Sequence, residues 1–313
     1  YDHEVQANSV IKPLQGKGRV NGSASVIRPL ASSQKGVVLS QALYPSYSDI
    51  DPYWMAACSI DTAVRSAIAA GGTMKRLALL DNFCWCDSNN PERLGELKEA
   101  ARACYDYAVA YGTPYISGKD SMFNDFRGYD AAHREVQISI PPTLLISSIG
   151  IVPDVTRCQT IDFKFPGDLV YLVGDTRDEL GGSEYLAFTG ERLSGKKFIG
   201  ESVPRVDAEK NLRAYRAVES AIAKELVASC AGVERGGMGV ALAKSAMAGM
   251  LGCSIDLGAM PDALRGDTAL FSESQGRLLL SVAPGARKEF ESAMKGVPLA
   301  LIGAVTDGHR VPR

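Results

Sequence analysis

The chain has 313 residues, 46% of them hydrophobic and 22% charged, a balance that fits folded globular protein with room for two cores and excludes disordered and fibrous classes. A formal net charge of -2, with basic residues spread along the chain, gives no electrostatic footprint for a polyanion and argues against nucleic acid and anionic membrane as partners. No apolar run reaches the roughly 18 residues that a membrane span requires.

The opening YDHEVQANSV matches neither a signal peptide nor a transit peptide, and with no initiator Met it reads as a piece of a longer protein or as a matured one. The seven cysteines (Cys58, Cys84, Cys86, Cys104, Cys158, Cys230 and Cys253) are odd in number and have no framework spacing. They read as reduced, structural thiols of a cytoplasmic protein. Only His3, His133 and His309 exist to complete a metal site with the close pair Cys84 and Cys86, and no spacing ties any Cys to a His as a catalytic pair.

Residues 1–35 read as an extended lead-in. Strand-like and helix-like segments then alternate from 36 to about 152, starting with the apolar strand GVVLSQAL. Asp51-Pro52 predicts a helix start, Ile60, Val64 and Ile68 one buried face, and Gly71-Gly72 the stop. RLALLDNFCW predicts a strand. A second helix is expected with Leu97, Ala101, Cys104 and Ala108 as its buried stripe and Gly112 as its end. PYISGKDSMFND begins as strand and ends as loop, and PTLLISSIGIV suits the middle of a covered sheet.

Pro166-Gly167 punctuates a restart, so domains are expected over 36–161 and 162–313. In the second, DLVYLVGDT predicts a strand, and a long amphipathic helix follows with Leu212, Tyr215, Ile222 and Leu226 on one side. An Ala-rich helix over 237–249 comes next. Strands around CSIDL, ALFSESQGRLLLSVA and PLALIGAVTDG frame a further helix near 286–295. Helices and strands mix in both blocks, which makes the fold class α/β or α+β.

Gly118-Lys119-Asp120-Ser121 puts a glycine, a cation, a carboxylate and a hydroxyl at a strand end. That set suits a phosphate with Mg²⁺, and an exposed turn carries the same residues. Asp81 ends an apolar strand as a metal or ribose ligand, or as the cap of the following turn. Because one helix connects the Asp81 and Gly118 strands, their ends are expected on one side of a sheet. Gly181-Gly182-Ser183 precedes a helix, as an anion site or a capping turn. Glu273-Ser274-Gln275 interrupts an apolar stretch, as a solvated edge or as substrate-binding groups.

YDHEVQ, SDIDPYWMAA, LLDNFCW, YGTPYISGKDS, PPTLLISSIGIVPDV and DELGGSEYL, in this order, resemble the second half of the synthetase subunit in the phosphoribosylformylglycinamidine (FGAM) synthase family, over essentially the whole chain. The resemblance implies an aminoimidazole-ribonucleotide-synthetase-like half: a sheet-pairing first domain that contributes to an ATP site, then an α+β domain. It implies a share in the ATP-dependent ligase reaction of purine biosynthesis, from formylglycinamide ribonucleotide and glutamine-derived ammonia to the amidine. ATP and Mg²⁺ are the implied cofactors. The implied partners are the N-terminal half of the same enzyme, which holds the catalytic residues, and a glutaminase domain or subunit. Alone, the half is expected to be inactive and to expose an apolar sheet surface, through which it forms a homodimer.

Carried over by position, Asp81 and Gly118 resemble ATP contacts and Ser121 a substrate contact. Lys119 stands where shorter members place a metal-binding Asn. A protonated lysine cannot ligate Mg²⁺, so Lys119 is assigned to phosphate and Asp120 becomes the nearest alternative ligand. Glu273, Ser274 and Gln275 match a substrate-binding string of the first half and are vestigial or substrate-binding here. At a second, non-catalytic nucleotide site of larger members, Ser23, Arg65 and Gly232 take the place of ligands and only Asp61 keeps an acid, so that metal site is expected to be weak or absent. Two alternatives remain: a free-standing ATP-dependent synthetase of the same superfamily, and a non-catalytic structural half-module.

Overall fold

The structure is a computed structural model that describes residues 8–261 and 263–308, so the YDHEVQ string, His3 and His309 lie outside the described residues. Short extended pieces come first: β1 (Ser9–Ile11), β2 (Leu14–Gln15), β3 (Val20–Asn21) and β4 (Ala24–Ile27). This stretch is more than a lead-in. Val26 and Ile27 pair with Val38 and Val37 of β5 (Gly36–Ala42), which makes β4 and β1 the edge of the first sheet. The β2–β3 hairpin instead reaches the second domain, where Gly18 N donates to Ala248 O at 2.9 Å.

After the short α1 (Pro45–Ser48), α2 (Pro52–Ala69) starts as expected, with the Asp51 carboxylate accepting from Trp54 N. Ile60, Val64 and Ile68 are buried, but so is every residue from Met55 to Ala69. The expected single face is therefore a helix enclosed all round. Its many Ala, Ser and Cys residues allow β5, α3 (Pro91–Tyr111), α5 (Ala208–Ala223) and the sheet to approach on every side.

β6 (Leu77–Cys84) leads into α3, which Asn90 caps and Gly112 ends in the left-handed region at φ 68°. The buried stripe of α3 is Ala100, Ala103, Cys104, Tyr107 and Tyr111, and Ala101 is exposed. Of the expected stripe only Cys104 is buried, and the Tyr107 and Tyr111 rings, 6.2 Å apart, take the place expected of Ala108. β7 (Tyr115–Ser121) follows, then the hairpin of β8 (Asp125–Tyr129) and β9 (Glu135–Ser139), and then β10 (Thr143–Val152). The six-stranded sheet runs β1-β4-β5-β10-β6-β7, with β6 and β7 parallel and the other pairs antiparallel.

β10 is central, yet its side chains alternate between buried and half-buried. One face lies under α2, where Ser40 Oγ donates to Ala63 O at 2.6 Å and shares a 2.7 Å hydrogen bond with Ser148. On the other face Leu39 is 45% exposed and Val37, Leu80, Ile149 and Ile151 are half-exposed. Apart from Thr143, Ser147 and Ser148 the strand is apolar on both faces, but this chain covers only one of them.

The second sheet is antiparallel, in the order β12-β14-β11-β15-β13, from β11 (Leu169–Val173), β12 (Ser229–Gly232), β13 (Gly252–Ile255), β14 (Leu278–Val282) and β15 (Leu299–Thr306). The helices here are α4 (Glu184–Ser194), α5, α6 (Gly237–Gly249), α7 (Gly266–Phe271) and α8 (Arg287–Ala293). Tyr215 and Ile222 are buried on α5, Leu212 is half-buried, and buried Leu226 lies past the helix end. The single strand expected from ALFSESQGRLLLSVA is instead helix α7, a buried turn, then β14. Gly276, at φ 78°, supplies the turn that the strand pattern concealed.

Candidate functional site

β6 and β7 are joined by α3 and run parallel, which puts Asp81 directly opposite Gly118, Asn82 opposite Lys119, Phe83 opposite Asp120 and Cys84 opposite Ser121. The two motifs do meet, but inside the strands rather than at their ends: β6 runs on past Asp81 to Cys84 and β7 past Gly118 to Ser121, so Asp81 does not end its strand. Asp81 Oδ1 accepts from Lys119 N at 3.3 Å and lies where a Cβ on Gly118 would stand, so the glycine makes room for the carboxylate. Lys119 Nζ donates to Ser121 Oγ at 2.9 Å.

Burial raises the pKa of Asp81, the nearby Asp120 raises it further, and the Lys119 N–H opposes both. β7 is the edge strand, exposed from Ile116 to Asp120. Alternation along the strands sets the Asp81 and Asp120 carboxylates on one face of the β6–β7 pair and the Lys119 ammonium and Ser121 hydroxyl on the other, beside the open β7 edge. This fits a share of a phosphate-and-cation site: the acids repel, and a divalent ion would relieve them. It is not a full cage, because no group of three or more His, Cys, Asp or Glu that could hold a metal exists among the described residues.

Glu273, Ser274 and Gln275 are not a solvated edge, since Glu273 and Ser274 are each 1% exposed and Gln275 is 7% exposed. Glu273 accepts from Tyr47 Oη at 2.5 Å, Glu184 N at 2.9 Å and Gly236 N at 2.8 Å. Ser274 Oγ accepts from Arg177 N, and Gln275 Oε1 accepts from Thr62 Oγ1 at 2.9 Å and Arg65 Nη1 at 3.2 Å. All three side chains bond to the protein itself. Ser183 caps α4 by accepting from Leu186 N, and the anion at that helix start is the chain's own Glu273. Burial raises the Glu273 pKa, against the lowering effect of those three donors.

Asp61 and Arg65 lie on α2, both 0% exposed, and form an ion pair. Asp61 Oδ1 also accepts from Tyr111 Oη at 2.5 Å, Tyr215 Oη at 2.6 Å and Asn211 Nδ2 at 2.9 Å, and Oδ2 accepts from Gly276 N at 3.1 Å. Ser23 and Gly232 come together beside this pair around a residue that sequence reasoning missed: Glu234 accepts from Ser23 and Ser66, each at 2.8 Å, and lies 3.1 Å from where a Gly232 Cβ would stand. The available signal was a charged Glu-Arg pair before the glycines that open α6.

All seven cysteines are free, and Cys84 and Cys86 differ in setting, half-buried and buried. Among the described residues no helix is long and apolar enough to cross a membrane.

Residues 21–152 match the model for the AIR synthase related protein N-terminal domain and 166–312 the model for the AIR synthase related protein C-terminal domain. Over 285 residues the chain is 33% identical to the phosphoribosylformylglycinamidine synthase subunit PurL of Methanocaldococcus jannaschii, an alignment covering 90% of this chain and 36% of that protein. The structure of Thermotoga maritima PurL complexed with FGAR superposes with a TM-score of 0.73 at 19% identity, covering 98% of this chain and 47% of that one. The same protein complexed with ATP gives 0.65 at 17% identity, covering 95% and 44%. The chain thus spans less than half the length of the PurL proteins it resembles. With both domain models matched in order across nearly its whole length, the chain belongs to the AIR synthase related family, on the PurL side of it.

Proposed function

We propose that this chain is one half of an FGAM synthase synthetase subunit and supplies part of its Mg-ATP site. The observation that carries this reading is the apposition of Asp81 and Gly118 within the parallel β6–β7 pair, with Lys119, Asp120 and Ser121 following on the uncovered edge strand. In this role Lys119 neutralises phosphate, Asp81 and Asp120 offer oxygens to Mg²⁺, and Ser121 hydrogen-bonds the ribonucleotide substrate. When bound, Mg-ATP supplies the phosphoryl group that activates the amide oxygen toward ammonia. With only two acids at the edge, the remaining ligands come from the other half of the enzyme, and a glutaminase domain or subunit supplies the ammonia.

The half-exposed sheet face with Leu39, Ile149 and Ile151 is the surface on which we place that other half, or a second copy of this chain in its absence. The domain boundary is proposed near residue 162, with β1 and β4 counted in the first domain as the edge of its sheet. Glu273 to Gln275 are assigned to internal structure rather than to substrate, and Asp61 to its ion pair rather than to an auxiliary metal, because their polar atoms already bond within the fold.

Titration calorimetry with Mg-ATP tests the reading, using this chain alone and then mixed with the other half. Binding is expected only in the mixture, and Lys119→Ala in the mixture is expected to weaken it about tenfold or more, the worth of one charge-assisted hydrogen bond. Tight Mg-dependent binding by the chain alone would favour a self-sufficient synthetase. Binding in the mixture that Lys119→Ala leaves unchanged would make this chain a structural half-module.

A further inference from the structure

The guanidinium of Arg65 is surrounded by oxygens from two domains. Nη1 donates to Asp61 Oδ2 and to Gln275 Oε1 at 3.2 Å; Nη2 donates to Thr62 Oγ1 and to Val233 O, each at 3.0 Å. A carboxylate, an amide oxygen, a hydroxyl and a backbone carbonyl are the hard donors that oxygen-ligated divalent cations collect. Two come from α2 and two from loops of the second domain, after β12 and before β14. The residue is 0% exposed, and its unpartnered Nε lies 3.5 Å from where a Gly232 Cβ would stand, on the side where Glu234 Oε1 lies 3.1 Å from the same point.

A buried arginine held only by neutral groups behaves differently. Arg277, also 0% exposed, donates to Ser274 O, Thr176 Oγ1 and Ser272 O, and burial, with the nearby Arg65 charge adding to it, pushes its pKa down to about 10. For Arg65 burial acts the same way, but the groups around it, Tyr215 first and then Asp61, Tyr44 and Glu234, outweigh burial and leave the pKa raised. The cage around Arg65 is thus built for a positive charge, and its counter-anion Asp61 extends the same network to Tyr111 of α3 and to Asn211 and Tyr215 of α5.

We propose that Arg65 is a built-in cation of the domain seam: a tethered guanidinium fills an oxygen cage that would otherwise take a divalent ion, so the two domains are held in register without one. The inference is independent of the proposed ATP site, which uses none of these residues. A metal ion in this place could dissociate, and the seam would loosen with it. An arginine cannot, and it adds the planar fork that reaches four acceptors at once.

The test is thermal unfolding of the full chain and of Arg65→Ala, each in chelator and in millimolar Ca²⁺ or Mg²⁺, with every variant midpoint referred to wild type in the same buffer. In chelator Arg65→Ala is expected to melt about 5–10 °C below wild type, since a buried ion pair has lost one partner. Divalent cation is expected to restore about half of that gap, because the emptied cage retains Asp61, Thr62, Gln275 and the Val233 carbonyl. A gap of the same size with and without cation overturns the proposal. If Arg65→Ala does not fold, Arg65→Lys and Arg65→Met decide. The lysine variant, which keeps a charge, should melt above the methionine variant, which keeps only the bulk; the reverse order would reduce Arg65 to a packing residue.

Discussion

Asp81 of β6 and Gly118 of β7 face each other across the parallel pair, and the carboxylate of the first fills the space that a side chain on the second would need. Gly118→Ala is therefore expected to destabilise the chain by about 1–3 kcal/mol, through the displaced carboxylate rather than through backbone strain. Adding Asp81→Ala should recover part of the loss, with a coupling of roughly 0.5 kcal/mol or more in a double-mutant cycle followed by urea unfolding. Additive losses would mean that the two residues do not share the space.

Asp61 has five donors, and they are unequal. Asp61→Ala leaves the Arg65 charge buried and unpaired and is expected to cost about 3–5 kcal/mol. Tyr111→Phe and Tyr215→Phe each remove one hydroxyl that donates to the carboxylate, at 2.5 and 2.6 Å, and should cost roughly 1–3 kcal/mol apiece. Urea midpoints of the three variants check the order. A tyrosine variant as damaging as Asp61→Ala would place the weight of the network on the ring rather than on the ion pair.

The Asp81–Gly118 apposition was legible in the sequence because it depends on local features: two strands whose apolar run meets polar residues at these positions, joined by one helix that returns the chain parallel to itself. The Arg65 seam was not. Its partners Val233 and Gln275 lie 168 and 210 residues away, and no local pattern marks contacts of that range. Glu273 to Gln275 misled for a related reason, since polar residues between apolar ones read as exposed until the donors that satisfy them, Tyr47 and the Glu184 and Gly236 amides, are brought in by other elements. On α3 the pattern gave the helix, its Gly112 end and the burial of Cys104, but set the rest of the stripe on Leu97, Ala101 and Ala108, where Ala100, Ala103, Tyr107 and Tyr111 carry it.

Glu273 makes the folded chain sensitive to pH in a definite direction. Burial raises its folded pKa above the unfolded value, so the folded state takes up the proton first. The stability this contributes is fully present below the unfolded value and is lost as pH rises through the folded one. Glu273→Gln keeps an oxygen for the Glu184 and Gly236 amides and has no titration. The unfolding free energy of wild type minus that of Glu273→Gln should therefore fall as pH is raised from the acid side of the carboxylate range toward neutrality, then level off. A difference that stays flat, or rises, would contradict a burial-dominated carboxyl.

The uncovered sheet face sets the last expectation. Leu39 and Ile149 are directly opposed on β5 and β10, on the side away from α2, and are flanked there by Val37 and Ile151. Apolar groups in such a continuous patch are driven to associate at about 25 cal/mol per Å² removed from water, and two like charges placed side by side in it would oppose any close approach of a second sheet. Because both positions are partly solvent-facing in the single chain, Leu39→Glu with Ile149→Glu should leave the thermal midpoint within a few degrees of wild type. Sedimentation velocity over a range of concentrations should show wild-type mass rising toward a dimer while the double variant stays at the mass of one chain. If the variant associates as wild type does, pairing uses another surface. If wild type remains a single chain at the highest concentration, the face is reserved for the other half of the enzyme, and loss of binding to that half by the double variant becomes the measurement that locates it.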